Sequence, residues 1–228
     1  VLALIVAPSA AGGAVAIAAV AGFLARHPLR LALSDLLRGK RYPRTAACAR
    51  IAIAYSTVAV LALAGAGHIA GPRMLVPLAL ALPLAAFQFV HDVRGRGHAL
   101  APEIAGAAAM GSVAATIAIV AGQSITLASA LWCLVLLRSI PAIVFVRAAL
   151  GKSGRGGAVV LHVAAVAVAI LLWRLSIVPL AAVVAMCGLL ARASIRGPHP
   201  EPARRVGLRE LGYGAATVLL AGFGYHFM

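Results

Sequence analysis

The chain has 228 residues, of which 63% are hydrophobic and only 11% charged, with a mean hydropathy of +1.03. A soluble domain of this size carries roughly 25% charged residues, so a water-soluble globular fold is excluded. Twenty Lys and Arg against five Asp and Glu leave a formal charge of +15, which in so apolar a chain points to loops facing anionic lipid headgroups rather than to nucleic acid.

The apolar runs cover 1–24, 48–65, 74–90, 102–121, 125–146, 157–173, 176–191 and 207–226. They are continuous and of span length, which predicts helices rather than the short alternating strands of a barrel. Inside the first run, "PSAAGG" (8–13) places a proline beside paired glycines, and that composition predicts a turn. Residues 1–7 are then the end of an earlier helix, in a chain read as lacking its true start. The helix after the turn runs past the bilayer through Leu29, Leu33 and Leu37, and Gly39 is its expected stop.

The connections alternate in character. Segments 26–47, 91–101, 147–156 and 192–210 carry six, two, three and five Lys or Arg. Between them, 65–73, 121–125 and 173–177 are short and hold only Arg73 and Arg174. Long basic loops alternating with short neutral turns place every second connection on one side, and the positive-inside rule makes that side cytoplasmic. The expected architecture is an all-α polytopic transmembrane helical bundle of eight to nine spans, one domain over residues 1–228. Dense small residues such as "GAAAMG" (106–111) and "GAGHIAG" (65–71) are expected to let the helices pack closely.

Cys48, Cys133 and Cys187 lie far apart in or beside apolar runs and form no CxxC, so they read as packing residues. "LGKSGRGG" (150–157) has Val146 where a phosphate-binding loop needs glycine, and is read as a loop. His162 and Trp173 read as packing or interface residues. No nucleophile with a plausible base partner is found.

Ionisable residues in or beside the spans carry the functional reading. Asp35 stands alone among Arg26, Arg30, Arg38, Lys40, Arg41 and Arg44. It is either a charge partner for Arg38 or another loop base, or part of a ligand site. Asp92 falls at a helix end, where the dipole disfavours an anion. Pro102 and Glu103 suit the first turn of the following helix. Arg138 lies deep in its span, at a cost of several kcal/mol unless it meets a polar cavity or an acid such as Asp35, Asp92 or Glu210. Arg147, nine positions on, projects about 180° away on a straight helix. The candidate ligand-binding residues are therefore Asp35, Asp92, Arg138, Arg147 and Glu210.

"FLARHPLRLALSDLLRGKRYPRT" (23–45), "HDVRGRGHALAPEIAGAAA" (91–109), "LLRSIPAIVFVRAAL" (136–150) and "GLRELGYG" (207–214) together resemble the YwiC-like family of bacterial membrane proteins over nearly the whole chain. More distantly, the plan resembles the UbiA-like prenyltransferases, which have nine helices and acidic motifs in the loops after the second and sixth. Asp35 falls where the first of those motifs lies. The loop matching the second holds Arg147, Lys152 and Arg155 and no acid. The likeness thus implies a degenerate diphosphate site in which arginines bind phosphate directly. Neither Mg²⁺ nor another cofactor is expected. The ligand implied is a membrane lipid or an isoprenoid phosphate in a cytoplasm-facing cavity. A transporter for a small anion and a non-catalytic partner subunit are the alternatives.

Lys40→Cys and Arg155→Cys, each in a background lacking the three native cysteines, are expected to react with a membrane-impermeant thiol reagent only from the cytoplasmic side. Labelling of either from the outside overturns the topology.

Overall fold

A computed structural model describes residues 1–40, 42–195 and 202–228. Arg41 and residues 196–201, in the first and last basic connections, lie outside the described residues. The described chain folds into nine α-helices and no strands: α1 (Leu2–Val6), α2 (Ala10–Leu37), α3 (Pro43–Ala70), α4 (Leu75–Val93), α5 (Leu100–Val120), α6 (Ile125–Ala149), α7 (Arg155–Arg174), α8 (Leu180–Ser194) and α9 (Ala203–Gly224). Six of them, α2 to α7, are long and apolar enough to cross a membrane, α4 being counted with the short 3₁₀ turn before it. The chain is a polytopic helical membrane bundle.

The first turn is tighter than its composition suggests. Only Ala7–Ser9 separate α1 from α2, and Gly12 and Gly13 are already helical. Ser9 caps α2 by accepting from the Gly12 N–H at 2.9 Å, so the helix begins at once. A side chain at Gly12 would press on that same Ser9 hydroxyl.

On the basic side, α2, α4 and α6 end alike. Gly39, Gly95 and Gly151 take φ of +66°, +74° and +71° just after the cap residues Arg38, Arg94 and Leu150. At each end two backbone bonds close the Schellman pattern, for example Gly39 N–H to Leu36 O at 2.9 Å and Lys40 N–H to Asp35 O at 3.0 Å. The residue after each glycine is Lys40, Arg96 or Lys152, so each stop also places a cation near the negative helix terminus.

α5 is the hub, packing against α1, α2, α4 and α6. Its small residues allow this. Gly106 lies under the Gln88 side chain, and a methyl on Gly111 would sit 2.8 Å from the Trp132 ring. Trp132 Nε1 donates to Ala108 O at 2.9 Å, tying α6 to α5 at the same level. Lipid offers no hydrophobic drive between helices, so such close approach and hydrogen bonding hold the bundle.

α2 and α3 form a long antiparallel hairpin. At 28 residues each they measure about 42 Å, against about 28 Å for the 19 residues of α4. Arg26 pairs with Asp92 near the end of α4, yet α2 continues to Leu37, about 16 Å further. The hairpin tip therefore overhangs the basic side of the bundle. α3 exposes Ile51, Ile53, Val60 and Leu61 on more than one side, which suits contact with lipid tails.

One turn carries backbone strain. Ser176, between α7 and α8, has φ of +56° and closes a Schellman pattern, donating to Trp173 O at 2.8 Å while Ile177 donates to Leu172 O at 2.9 Å. Left-handed conformation costs a non-glycine residue about 1–2 kcal/mol. Ser176→Gly is expected to raise the melting temperature in detergent, by about 0.5–1 kcal/mol once the added freedom of the unfolded chain is subtracted. A fall would show that the Ser176 side chain holds the turn.

Candidate functional site

Each described carboxylate meets an arginine from a different helix. At the hairpin tip Asp35 is almost fully buried. Its Oδ1 accepts from Arg44 Nη2 at 3.1 Å, and its Oδ2 from Arg44 Nε at 3.3 Å and from Thr45 Oγ1 at 2.8 Å. Thr45 Oγ1 in turn accepts from the Tyr42 N–H at 3.1 Å, completing a capping box at the start of α3. Asp35 thus clasps α2 to α3 across the loop, and its partner is Arg44 rather than Arg38. Both of its oxygens are occupied.

Asp92 ties α4 to α2. Arg26 Nε donates to Asp92 Oδ2 at 2.6 Å, and Arg26 Nη2 reaches Gln88 Oε1 at 2.9 Å when the amide oxygen faces it. Glu103, in the first turn of α5, ties α5 to α6. Arg147 Nη1 donates to Glu103 Oε2 at 3.2 Å and to His98 O at 2.8 Å.

The fourth cluster joins four helices. Glu210 of α9 faces two arginines. Arg192, at the end of α8, makes a close ion pair with Glu210 Oε1. Arg138 Nη2, from the middle of α6, donates to Glu210 O at 2.9 Å and lies 3.8 Å from Oε2. From α7, His162 accepts at Nε2 from Arg192 Nη2 at 3.3 Å while its Nδ1 lies 2.7 Å from Ala158 O. The carbonyl requires Nδ1 to carry the proton, so His162 is the neutral tautomer whose free nitrogen faces the guanidinium. Arg192 also stacks on Phe145 and Tyr213, 4.1 and 4.9 Å from their centroids.

Gly214, one turn after Glu210, makes room for this cluster. A methyl there would sit 2.7 Å from Arg138 Nη2. The Arg192 side chain is 8% exposed and that of Glu210 14%. One carboxylate between two arginines leaves one positive charge in excess. The Nε groups of both arginines are buried with no hydrogen-bond partner among the described residues, each at a cost of about 1–3 kcal/mol.

Beside this cluster lies a cavity of about 510 Å³, within the range of small-molecule sites. Arg138, Ser139 and Glu210 line one end; Leu134, Val218 and Leu219 are among the apolar residues lining the rest. Of the five candidate residues, Arg138 and Glu210 come together here. Asp92 lines a separate recess of about 280 Å³, Arg147 is engaged by Glu103, and Asp35 closes the hairpin tip.

Arg192 and His162 were not singled out by the sequence. Arg192 reads as one more loop base and His162 as a packing residue on an apolar run. The one signal was in "GLRELGYG", where Glu210 needs a cation and Gly214, four residues on, leaves space for its side chain.

The YwiC-like protein family model matches residues 1–119. The chain belongs to the YwiC-like family. The match covers α1 to α4 and nearly all of α5, so the α6–α9 cluster of this YwiC-like protein stands on its own geometry. No curated protein and no solved structure matches the chain. A UbiA-like plan would imply Mg²⁺, and the residues here do not fit it. Both Asp35 oxygens are taken by Arg44 and Thr45, and among the described residues no three His, Cys, Asp or Glu side chains converge.

Glu210→Gln leaves the buried Arg192 and the half-buried Arg138 without a counter-charge and is expected to destabilise the protein by about 3–5 kcal/mol. Asp35→Asn, whose partner Arg44 is 59% exposed, is expected to cost clearly less. Thermal unfolding in detergent separates the two, and equal losses would contradict this ranking.

Proposed function

We propose that this YwiC-like protein binds an amphipathic anion, of the class of isoprenoid phosphates, in the α6–α9 cavity. The anionic head would meet Arg138, with the Arg192 charge behind it, and the apolar chain would lie along α9 and α6. The observation carrying this reading is the polarity of the cavity: Arg138, Ser139 and Glu210 at one end, beside an ion cluster with one positive charge in excess, and aliphatic side chains over the rest. Arginine suits the task because its planar fork pairs bidentately with phosphate. Glu210 and His162 would hold the two guanidinium groups in place.

The reading includes an inner-membrane location with the basic loops cytoplasmic, supported by the alternation of basic and neutral connections. It also includes a UbiA-like plan, supported by helix number and loop spacing. Binding is direct, without a bridging metal, because the carboxylates are committed to arginines.

Thermal stabilisation of the purified protein by a panel of prenyl mono- and diphosphates, with Mg²⁺ and again with EDTA, tests it. A ligand at 100 times its Kd stabilises by about 2.7 kcal/mol, a rise of several degrees, and the rise is expected to survive EDTA. In Arg138→Ala the rise is expected to vanish while helicity and elution volume stay unchanged, because Arg192 still neutralises Glu210. A rise only with Mg²⁺ would overturn metal-free binding, and no rise with any compound would overturn the isoprenoid reading.

A further inference from the structure

The recess that Asp92 lines is separate from the α6–α9 cavity and has its own chemistry. It lies where α2 passes the end of α4 and the loop that follows. Arg26, His27, Arg30 and His98 surround it, with Phe23 and Leu24 one turn earlier on α2. Asp92 and Gln88 hold Arg26 in place, so that the Arg26 and Asp92 charges cancel and the pair forms a rigid wall. Arg30, one turn further on the same face, has His27 Nδ1 as its hydrogen-bond partner at 3.3 Å, which leaves most of its guanidinium donors available. The net charge facing the recess is therefore positive.

Its other wall is apolar and open to the bilayer. Phe23 and Leu24 are 56% and 43% exposed, on the side of the cations that leads into the membrane. Pro28 lies inside α2 and has no N–H, so the Leu24 carbonyl lacks its usual helical donor. Gly97 lets the following loop close over Asp92, since a side chain at that position would strike the carboxylate.

We propose that this recess binds the headgroup of an anionic phospholipid, its phosphodiester on Arg30 and His27 and its first methylene groups against Phe23 and Leu24. Free phosphate would use the same cations but gain nothing from the two apolar side chains.

The test is native mass spectrometry of the full chain released from detergent, titrated with phosphatidylglycerol or phosphatidylcholine. Phosphatidylglycerol is expected to bind more tightly. Arg30→Gln is expected to weaken it about fivefold, the effect of one interfacial charge, and Arg30→Lys to restore most of the affinity. Arg138→Ala is expected to leave it unchanged, which keeps this site distinct from the α6–α9 cavity. Equal affinity for the two lipids, or no loss in Arg30→Gln, overturns the proposal. So does displacement of the lipid by millimolar inorganic phosphate together with undiminished binding in Phe23→Ser, which would assign the recess to free phosphate.

Discussion

The bundle depends on pairing each described carboxylate with an arginine carried by another helix. Inside a membrane, apolar faces give a helix little reason to choose one rotation over another, because lipid tails solvate them as well as neighbouring helices do. A charge at the same depth is costly unless its partner is within reach. Asp35 with Arg44, Asp92 with Arg26, Glu103 with Arg147, and Glu210 with Arg192 and Arg138 therefore set the rotation and level of α2 against α3, α4 against α2, α5 against α6, and α9 against α8 and α6. The small residues of α5 then allow the approach that these pairs require.

The pairs differ in environment, and that difference sets how much of each arginine's charge is cancelled. Asp35 holds the tip of an overhanging hairpin, where the arginine is mostly in solvent and the carboxylate is fully satisfied. Glu210 serves two arginines, one of which, Arg138, lines a largely aliphatic cavity. Asp92 is intermediate. It fixes Arg26 as a wall, while Arg30 and the two histidines give the recess its positive charge. An excess of arginine over acid leaves both recesses suited to anions.

Much of the fold was legible in the chain because its signals are local. Run length and hydropathy predict helices, Gly39 predicts a stop, and alternating basic and neutral connections predict antiparallel order. "PSAAGG" overstated the first turn, because Ser9 caps α2 and both glycines after it are already helical, Gly12 lying close against Ile117 of α5. Arg138 announced itself by its depth, and the half-turn offset from Arg147 correctly sends the two toward different partners. Arg192 and His162 gave no such warning, since a basic residue at a helix end and a histidine on an apolar run have ordinary explanations.

What the sequence determined by itself is the membrane class, the helical content, the alternation of its loops and the small set of ionisable residues that must find partners. Those follow from composition and from spacing within single helices. The tertiary structure alone decided which acid meets which arginine, that Arg138 and Glu210 share a cavity while Asp35 and Arg147 are committed elsewhere, and that Arg192 and His162 complete the cluster. Pairing across helices depends on the level and rotation of elements far apart in the chain, and an acid flanked by many arginines is compatible with almost any of them until packing selects one.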